Sequence, residues 1–502
     1  MSAEAEKNSS SPADSSLQTI HDARSGPPDD AEAPELITSD SPNLPANPKN
    51  WSPRRPWAAT MVVSGFNFIF PLAIAMIAPC LPALAAELDI TSSVEQSMAL
   101  SVFVLGYAVG PLVVGPLSEL YGRVPVLQTS NLVSLLFNLA FGLAGTKGEM
   151  IAFRFIAGLG GSAPQATGGG VLGDLWATEE RGRALAFYSL AALLGGAVGP
   201  IAGGFVAEHT SWRWIFYATT ISNGVVMLLG FLLLQETRAT VLLERKKAKR
   251  IREKGSKAWH TRTDDPWHTL RNIILHAHSR PFRLLFTQPI VQVLAVYLAY
   301  IYGIVYLVLA SFPDLWTSPD HYGESVGIGG LNYIALACGF LLGAYLCAPT
   351  QDRIYRRRKD RNGGVGRPEY RIPLMIPSAI LVPVGLFIYG WTAEYATFWI
   401  GPDIGIALYA AGNITSFQCR QVYIVDTYTN YAASALASVT VLRGLCAFTF
   451  PLFAPKMYDA LGYGWGNSML AFIAMGLGWP GPFVLWRYGQ ALRERSPYAA
   501  EI

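Results

Sequence analysis

Three charged side chains stand where charge is expensive. Arg154, Asp403 and Arg443 each fall inside a long apolar run. A charge at such a place costs a few kcal/mol or more, so it is a candidate for function. Arginine does not deprotonate in proteins, so Arg154 itself carries no proton. It can tune a neighbouring carboxylate or hold a hydrogen-bond network. At 1.5 Å per residue it lies about 8 Å from the end of its run, within reach of snorkelling to the interface. A desolvated carboxylate has a raised pKa and can exchange protons near neutral pH. Asp403 is therefore a candidate proton carrier, unless it sits at the interface. Arg443 falls near the middle of its run, and the sequence alone gives it no partner. No acid lies in the middle of the first apolar run, so proton coupling through that segment is unsupported.

Other chemistry is poorly represented. The seven histidines (His21, His209, His260, His268, His276, His278, His321) fall in a tail and in loops. Five cysteines form no CxxC, which argues against a zinc site or a disulfide framework. There is no GxxxxGK[ST] loop for ATP. No cofactor is expected beyond an ion gradient, and no nucleic-acid partner. Nothing points to an enzyme.

The elements that must position the three charges are apolar. Of 502 residues 51% are hydrophobic and 15% charged. Soluble proteins carry about 25% charged residues, so the composition points to a membrane protein. A spanning helix needs about 20 apolar residues. Runs of that kind lie near 59–82, 97–117, 126–144, 149–172, 184–207, 214–234, 289–311, 328–349, 372–391, 397–420, 434–455 and 464–486. The expected fold is an all-α membrane protein with twelve spans.

Charge supports the order of these spans. Lys and Arg concentrate in cytoplasmic loops. Arg123, Arg181, Arg183, the cluster Arg245 to Lys254, Arg353 and Arg356 to Arg358 fall after even-numbered spans. Odd connections hold little beyond Lys147, Arg213 and Lys456. Both termini are then expected in the cytoplasm. The long basic connection divides the spans six and six, an architecture known in transporters. The expected organisation is a disordered tail at 1–56, a six-helix bundle at 57–234 and a basic cytoplasmic loop at 235–288. A second bundle follows at 289–487, then a short tail at 488–502. No cleavable signal peptide is visible. The stretch 245–257 reads either as a solvated linker or as a helix on an anionic leaflet.

Two strings carry more specific information. The first is Gly115-Pro-Leu-Ser-Glu119-Leu-Tyr-Gly122-Arg123, after the second span. Its glycines permit close approach and a tight turn. Glu119 and Arg123 are opposite charges at a membrane boundary, where a pair can hold one conformation and release another. After the eighth span, Ala348-Pro-Thr-Gln-Asp352-Arg353 repeats the pattern of acid and arginine. The second string is Gly195-Gly-Ala-Val-Gly199-Pro200-Ile-Ala-Gly203-Gly204 in the fifth span. Gly195, Gly199 and Gly203 share one helix face, and such stripes let helices pack backbone to backbone. Pro200 removes a helical hydrogen bond and bends the helix.

Both strings resemble signatures of the major facilitator superfamily. The first is similar to its loop 2–3 motif, with Glu119 for the usual Asp and Val124 in place of a usual base. The second resembles G-x-x-x-G-P-x-x-G-G, which is associated with exporters. Arg154-Phe-Ile-Ala-Gly158 resembles the family's span-four arginine motif, linked to proton coupling. The spelling throughout, including Asn47 to Trp51, Trp212 to Phe216, Pro368 to Arg371 and Phe450 to Phe453, is similar to the fungal branch of the twelve-span drug:proton antiporters. The resemblance implies a major facilitator fold and a conformational switch at Gly115, Glu119, Gly122, Arg123, Asp352 and Arg353. It implies proton coupling at Arg154, with Asp403 beside it as a candidate. It implies export of hydrophobic or amphipathic small molecules by proton antiport from the plasma membrane, or from the vacuolar membrane.

Gln292, Tyr297, Tyr300, Asn413 and Gln418 are candidate substrate contacts, unless they are helix–helix hydrogen bonds. The partners expected are a small-molecule substrate and membrane lipids, with the chain acting as a monomer. The alternative is an uptake carrier for a polar solute such as a sugar or polyamine. No sugar-porter-like PESPR string ends the sixth span, only Gln235-Glu-Thr-Arg238. A membrane enzyme or receptor fits less well.

Overall fold

The computed structural model describes residues 48, 51–176, 180–238, 241–245, 248, 252, 270–428 and 431–499, with backbone alone for 270–278, 432 and 433. The predicted tail up to residue 47 and most of the basic stretch 245–257 lie outside the described residues. Helices stand at all twelve predicted apolar runs, and the described residues contain no strand. In a bilayer every backbone group must be satisfied internally, and a helix does this within one segment.

The first run is α1 (Arg54–Ala75), a 3₁₀ turn at Ala78–Cys80 and α2 (Leu81–Glu87). Then follow α3 (Ser93–Tyr121) and α4 (Arg123–Gly142). The fourth run is split at Ser162 into α5 (Lys147–Gly161) and α6 (Ala163–Leu175), with Pro164 in the first turn of α6. The fifth and sixth are α7 (Arg181–His209) and α8 (Arg213–Leu233). Within the predicted loop 235–288 the structure places a helix, α9 (Leu270–Thr287), against α3 and the eleventh run.

The second half begins with α10 (Pro289–Thr317). The short α11 (Val326–Leu331) leads into α12 (Tyr333–Arg361), then α13 (Met375–Glu394) and α14 (Ile400–Thr427). The last two runs are merged in α15 (Ala432–Gly478), continued by α16 (Pro480–Glu494). Gly462, at φ 68° and ψ 177°, makes the corner between them. Among the described residues nine segments are long and apolar enough to cross a membrane. One of them, Ser434–Glu494, has 61 residues. At 1.5 Å per residue that is about 90 Å, far beyond one crossing of about 30 Å. The broken fourth run and the polar α14 are not among the nine.

Packing repeats between the halves. In the first, α1 lies on α7, α3 on α5, α4 on α5 and α4 on α8. In the second, α10 lies on α15, α12 on α14, α13 on α14 and α13 on α15. The halves meet where α3 packs on α15 and where α7 packs on α11 and α12. Exchange of the halves maps one of these interfaces onto the other.

One end of the helix array carries Arg123, Arg181, Arg353, Arg371 and Arg493, and is called the basic end here. The opposite end carries Glu87, Glu95, Glu149, Glu208 and Glu394. At that end a cavity of 710 Å³ opens between the halves, lined in part by Leu81, Ser97, Asp314, His321, Glu394, Tyr458 and Asp459.

The glycine stripe of α7 works as the spacing predicts. A Cβ at Gly195 would overlap the Phe68 carbonyl, and one at Gly203 the Met76 carbonyl. At Gly199 it would lie 2.8 Å from the Ala75 Cβ. This face therefore packs on α1 backbone to backbone, as small stripes do in membranes. The adjacent stripe faces the other half. A Cβ at Gly204 would sit 2.8 Å from the Val326 carbonyl, and the Pro200 carbonyl lies against Gly330. One turn on, Glu208 accepts a 2.7 Å bond from the Gly327 amide.

Candidate functional site

Near mid-depth the two halves face each other through aromatic rings. Tyr107 and Tyr302 each lie at the middle of a 29-residue helix, α3 and α10. Tyr306 follows Tyr302 one turn later, with ring centres 5.3 Å apart. Phe417 comes from α14 and Arg443 from α15. The Arg443 guanidinium lies 4.4 Å from the Tyr302 ring centre and 5.2 Å from that of Phe417. Tyr107 lies near Tyr188, Tyr302 and Arg443. Tyr188 is fixed from α7, its hydroxyl donating to the Pro164 carbonyl at 2.8 Å. Tyr107, Tyr188, Tyr302, Phe417 and Arg443 are all half-buried, although they lie deep along their helices. Their free surface therefore faces a gap between the halves. Such a gap, apolar with a few polar groups, suits an amphipathic small molecule.

The sequence pointed to other faces of the same helices. Tyr300 is tied away, its hydroxyl donating to the Leu470 carbonyl at 2.6 Å. Asn413 donates to the Ile301 carbonyl at 2.9 Å and to Tyr409, a helix–helix bond. Tyr297 is buried with its ring 4.1 Å from the Arg420 guanidinium. Gln292 donates to the Phe286 carbonyl near the basic end. Only Gln418, half-buried beside Phe417, stays near the gap. These four candidates lie away from the rings around Arg443 for one reason. The aromatic face of α10 that meets the other half carries Tyr302 and Tyr306, and an all-apolar helix does not declare its face in sequence.

Arg154 is fully enclosed on α5. Its Nε donates to the Ala99 carbonyl at 2.8 Å, and its two terminal nitrogens have no hydrogen-bond partner. Phe103, Phe141 and Phe216 surround the guanidinium at 4.9, 5.2 and 5.4 Å. It does not snorkel. No ion pair to it occurs among the described residues, and its one bond is to the Ala99 carbonyl. Each ring contact is worth about 0.5–2 kcal/mol, less than a buried charge costs, so the site is held at a penalty. Asp403 lies in the first turn of α14, in the other half. It is buried, and its Oδ1 has no partner. The Glu324 carboxylate acts on it electrostatically.

Arg420 was not anticipated, because the predicted span ended on it. It is buried on α14 and donates to the Ser416 hydroxyl at 2.6 Å.

At the basic end the expected Glu119–Arg123 pair is not formed. Arg123 instead pairs with Asp174 at 2.5 Å, tying the start of α4 to the end of α6, while Glu119 is exposed. Glu236 accepts from the backbone amides of Arg123 and Val124, capping α4 from after α8. In the second half the counterpart of Arg123 is Arg371, not Arg353. Arg371 precedes α13 and bonds Asp426 at the end of α14 at 3.1 Å, and Asp352 of α12 at 3.0 Å. Arg353 is exposed and has no ion pair among the described residues. Local spacing points to Asp352 but cannot show that the arginine bonded to it comes from the next element.

Gly122 has a firm steric reason to be glycine. Its φ of 101° and ψ of 157° belong to a region that other residues avoid. A Cβ would also overlap the Glu236 carboxylate. Gly122→Ala is therefore expected to cost about 1–3 kcal/mol from backbone strain alone. A thermal melt in detergent checks this, against Gly115→Ala as the control. Nothing lies within 4 Å of a Cβ at Gly115, and that variant should melt within a few degrees of the parent.

A sequence model of the Major Facilitator Superfamily matches residues 63–451. The chain is 48% identical to the protein named Efflux pump vrtL of Penicillium aethiopicum, over 94% of this chain and 93% of that one. It is 43% identical to Uncharacterized transporter C1529.01 of Schizosaccharomyces pombe, over 93% and 94%. It is 42% identical to Probable efflux pump mfs2 of Aspergillus flavus, over 84% and 99%. Among solved structures it is similar to the partially occluded inward-open xylose transporter XylE from E. coli. That likeness has a TM-score of 0.63 and 16% identity, over 87% of this chain and 98% of that one. It shows the fold.

Proposed function

This chain belongs to the major facilitator superfamily, and from that premise we propose that it exports hydrophobic or amphipathic small molecules by proton antiport. It is a membrane transporter of small molecules, with several apolar helices able to cross a bilayer. The observation that carries export is α7. Gly195, Gly199 and Gly203 hold it against α1 at backbone contact, while Gly204 and Pro200 hold it against the other half. This is the helix whose glycine string resembles the exporter signature. The relatives named efflux pumps support the same direction.

On this reading the chain crosses the plasma membrane twelve times, as a monomer among lipids. The bundles are 57–234 and 289–487, joined by the basic connection 235–288. The basic end faces the cytoplasm, where Lys and Arg concentrate. The halves rock at the α3–α15 and α7–α11/α12 contacts, so that the mid-depth gap opens to one side at a time. The charge clusters at the basic end, with Gly115, Glu119, Gly122, Arg123, Asp352 and Arg353 in and around them, set the ends of the interface helices α3 and α12. Arg154 and Asp403 serve proton coupling, and the acid-lined cavity at the other end admits the proton.

Expression in a yeast stripped of its own multidrug pumps tests direction. Cellular accumulation of a panel of amphipathic dyes should fall severalfold, and a protonophore should restore it. Dye accumulation that rises on expression would favour the uptake carrier and overturn the proposal.

A further inference from the structure

Resting on the export reading, the mid-depth gap says more than amphipathic. Among the described residues around it the formal charge is that of Arg443, and no described carboxylate forms an ion pair with it. Its guanidinium lies over two rings, Tyr302 and Phe417. The other ionisable groups that bear on the cluster, from α3, α7 and α10, are the phenols of Tyr107, Tyr188, Tyr302 and Tyr306. Contrast two of the buried arginines. Arg154 is sealed by three phenylalanines and a carbonyl bond. Arg420 is bonded to Ser416 and covered by Tyr297. Arg443 alone of the three is half-exposed, and among the described residues it makes no hydrogen bond.

A cation at membrane depth without a counter-ion attracts an anion, because charge-assisted bonds strengthen where water is scarce. The fork of the guanidinium matches a carboxylate or another planar oxyanion in two bonds. The rings around it add flat apolar surface on which a planar ring can stack. We infer that Arg443, with Tyr107, Tyr302 and Phe417, forms a binding site for aromatic small molecules bearing one negative charge, and that these are the preferred substrate class. The gap then selects by charge against amines. A cationic ligand would meet Arg443 with nothing in the described site to offset it. Export of such an anion from a cell negative inside runs with the membrane potential, which adds to the proton gradient.

The test is binding to the full chain purified in detergent, where the direction of transport plays no part. The probes share one ring system: 2-naphthoate, 2-naphthylmethanol and 2-naphthylmethylammonium at pH 7.5, read by tryptophan quenching and by thermal shift. Naphthoate is expected to bind at least tenfold more tightly than the alcohol, and the ammonium more weakly than either. Arg443→Gln should bring naphthoate down to the level at which the same variant binds the alcohol. Arg443→Lys should keep most of the preference. The unaltered chain binding naphthoate no better than the alcohol overturns the inference, whether or not the variants fold. So does a preference that survives Arg443→Gln. Should the anion preference hold while cells accumulate the anion on expression, the substrate class stands and the export reading falls.

Discussion

Arg154→Met is expected to abolish export while leaving the chain as stable as before, or more stable. Methionine has nearly the length and volume of the arginine stem, and it carries no charge into the pocket of Phe103, Phe141 and Phe216. The arginine makes one hydrogen bond there and leaves two nitrogens unsatisfied. Replacing buried ionic groups by well-packed apolar ones is often neutral or stabilising by about 1–4 kcal/mol. A residue kept for structure should therefore be dispensable in this form. A residue kept for coupling should not be. Export at matched surface expression should fall by about two orders of magnitude, with the melting temperature unchanged or raised. The opposite pattern, a lower melting temperature with export in proportion to folded protein, would make Arg154 a structural residue only.

The second large effect separates two arginines that sequence spacing confuses. Arg371 holds two carboxylates on two helices, Asp352 on α12 and Asp426 on α14. It is itself largely covered, with 15% of its side chain exposed. Removing it takes the bridging cation away from Asp352, on the helix α12 that meets the other half, and from Asp426 on α14. Isolated exposed pairs are worth about 0–1 kcal/mol, but a partly buried bridging arginine in a network is worth more. A shift of about 1.4 kcal/mol in a two-state equilibrium is already tenfold. Arg371→Ala should therefore slow transport tenfold or more, and Arg371→Lys should recover only part, since a lysine does not span two acids with a planar fork. Arg353→Ala should stay within twofold. Dye efflux rates at matched expression decide it. Equal losses at both positions would return the switch role to Arg353.

The fold was legible because a bilayer leaves so few solutions. Apolar runs of spanning length had to be helices, and the long basic connection marked the boundary of the repeat. The stripe Gly195, Gly199, Gly203 was legible too, since a spacing of four fixes a face whatever it packs on. What sequence could not supply was the partner. Asp174 lies 51 positions from Arg123, and Asp426 lies 55 from Arg371. Neither distance is a local period. The helix breaks at Ala78–Cys80 and Ser162 were also hidden within continuous apolar runs. Along α10 four tyrosines stand close together, and only packing showed that Tyr302 and Tyr306 stack on one another beside Arg443 while Tyr297 and Tyr300 turn inward. Arg443 stood out as a charge from the start, but its meaning required the two rings beside it.

The central claim is exchange, substrate against proton, and a reconstituted vesicle measures its sign. The purified chain is placed in liposomes with an acid lumen and an alkaline medium, or the reverse, with protein-free liposomes as the baseline. A membrane-impermeant anionic naphthalene sulfonate is added outside. An antiporter lets protons leave and carries the probe in, so the probe should accumulate in acid-lumen vesicles alone, and a protonophore should abolish the effect. Accumulation in alkaline-lumen vesicles would mean symport, and uptake indifferent to the gradient would mean no proton coupling; either result would contradict the account.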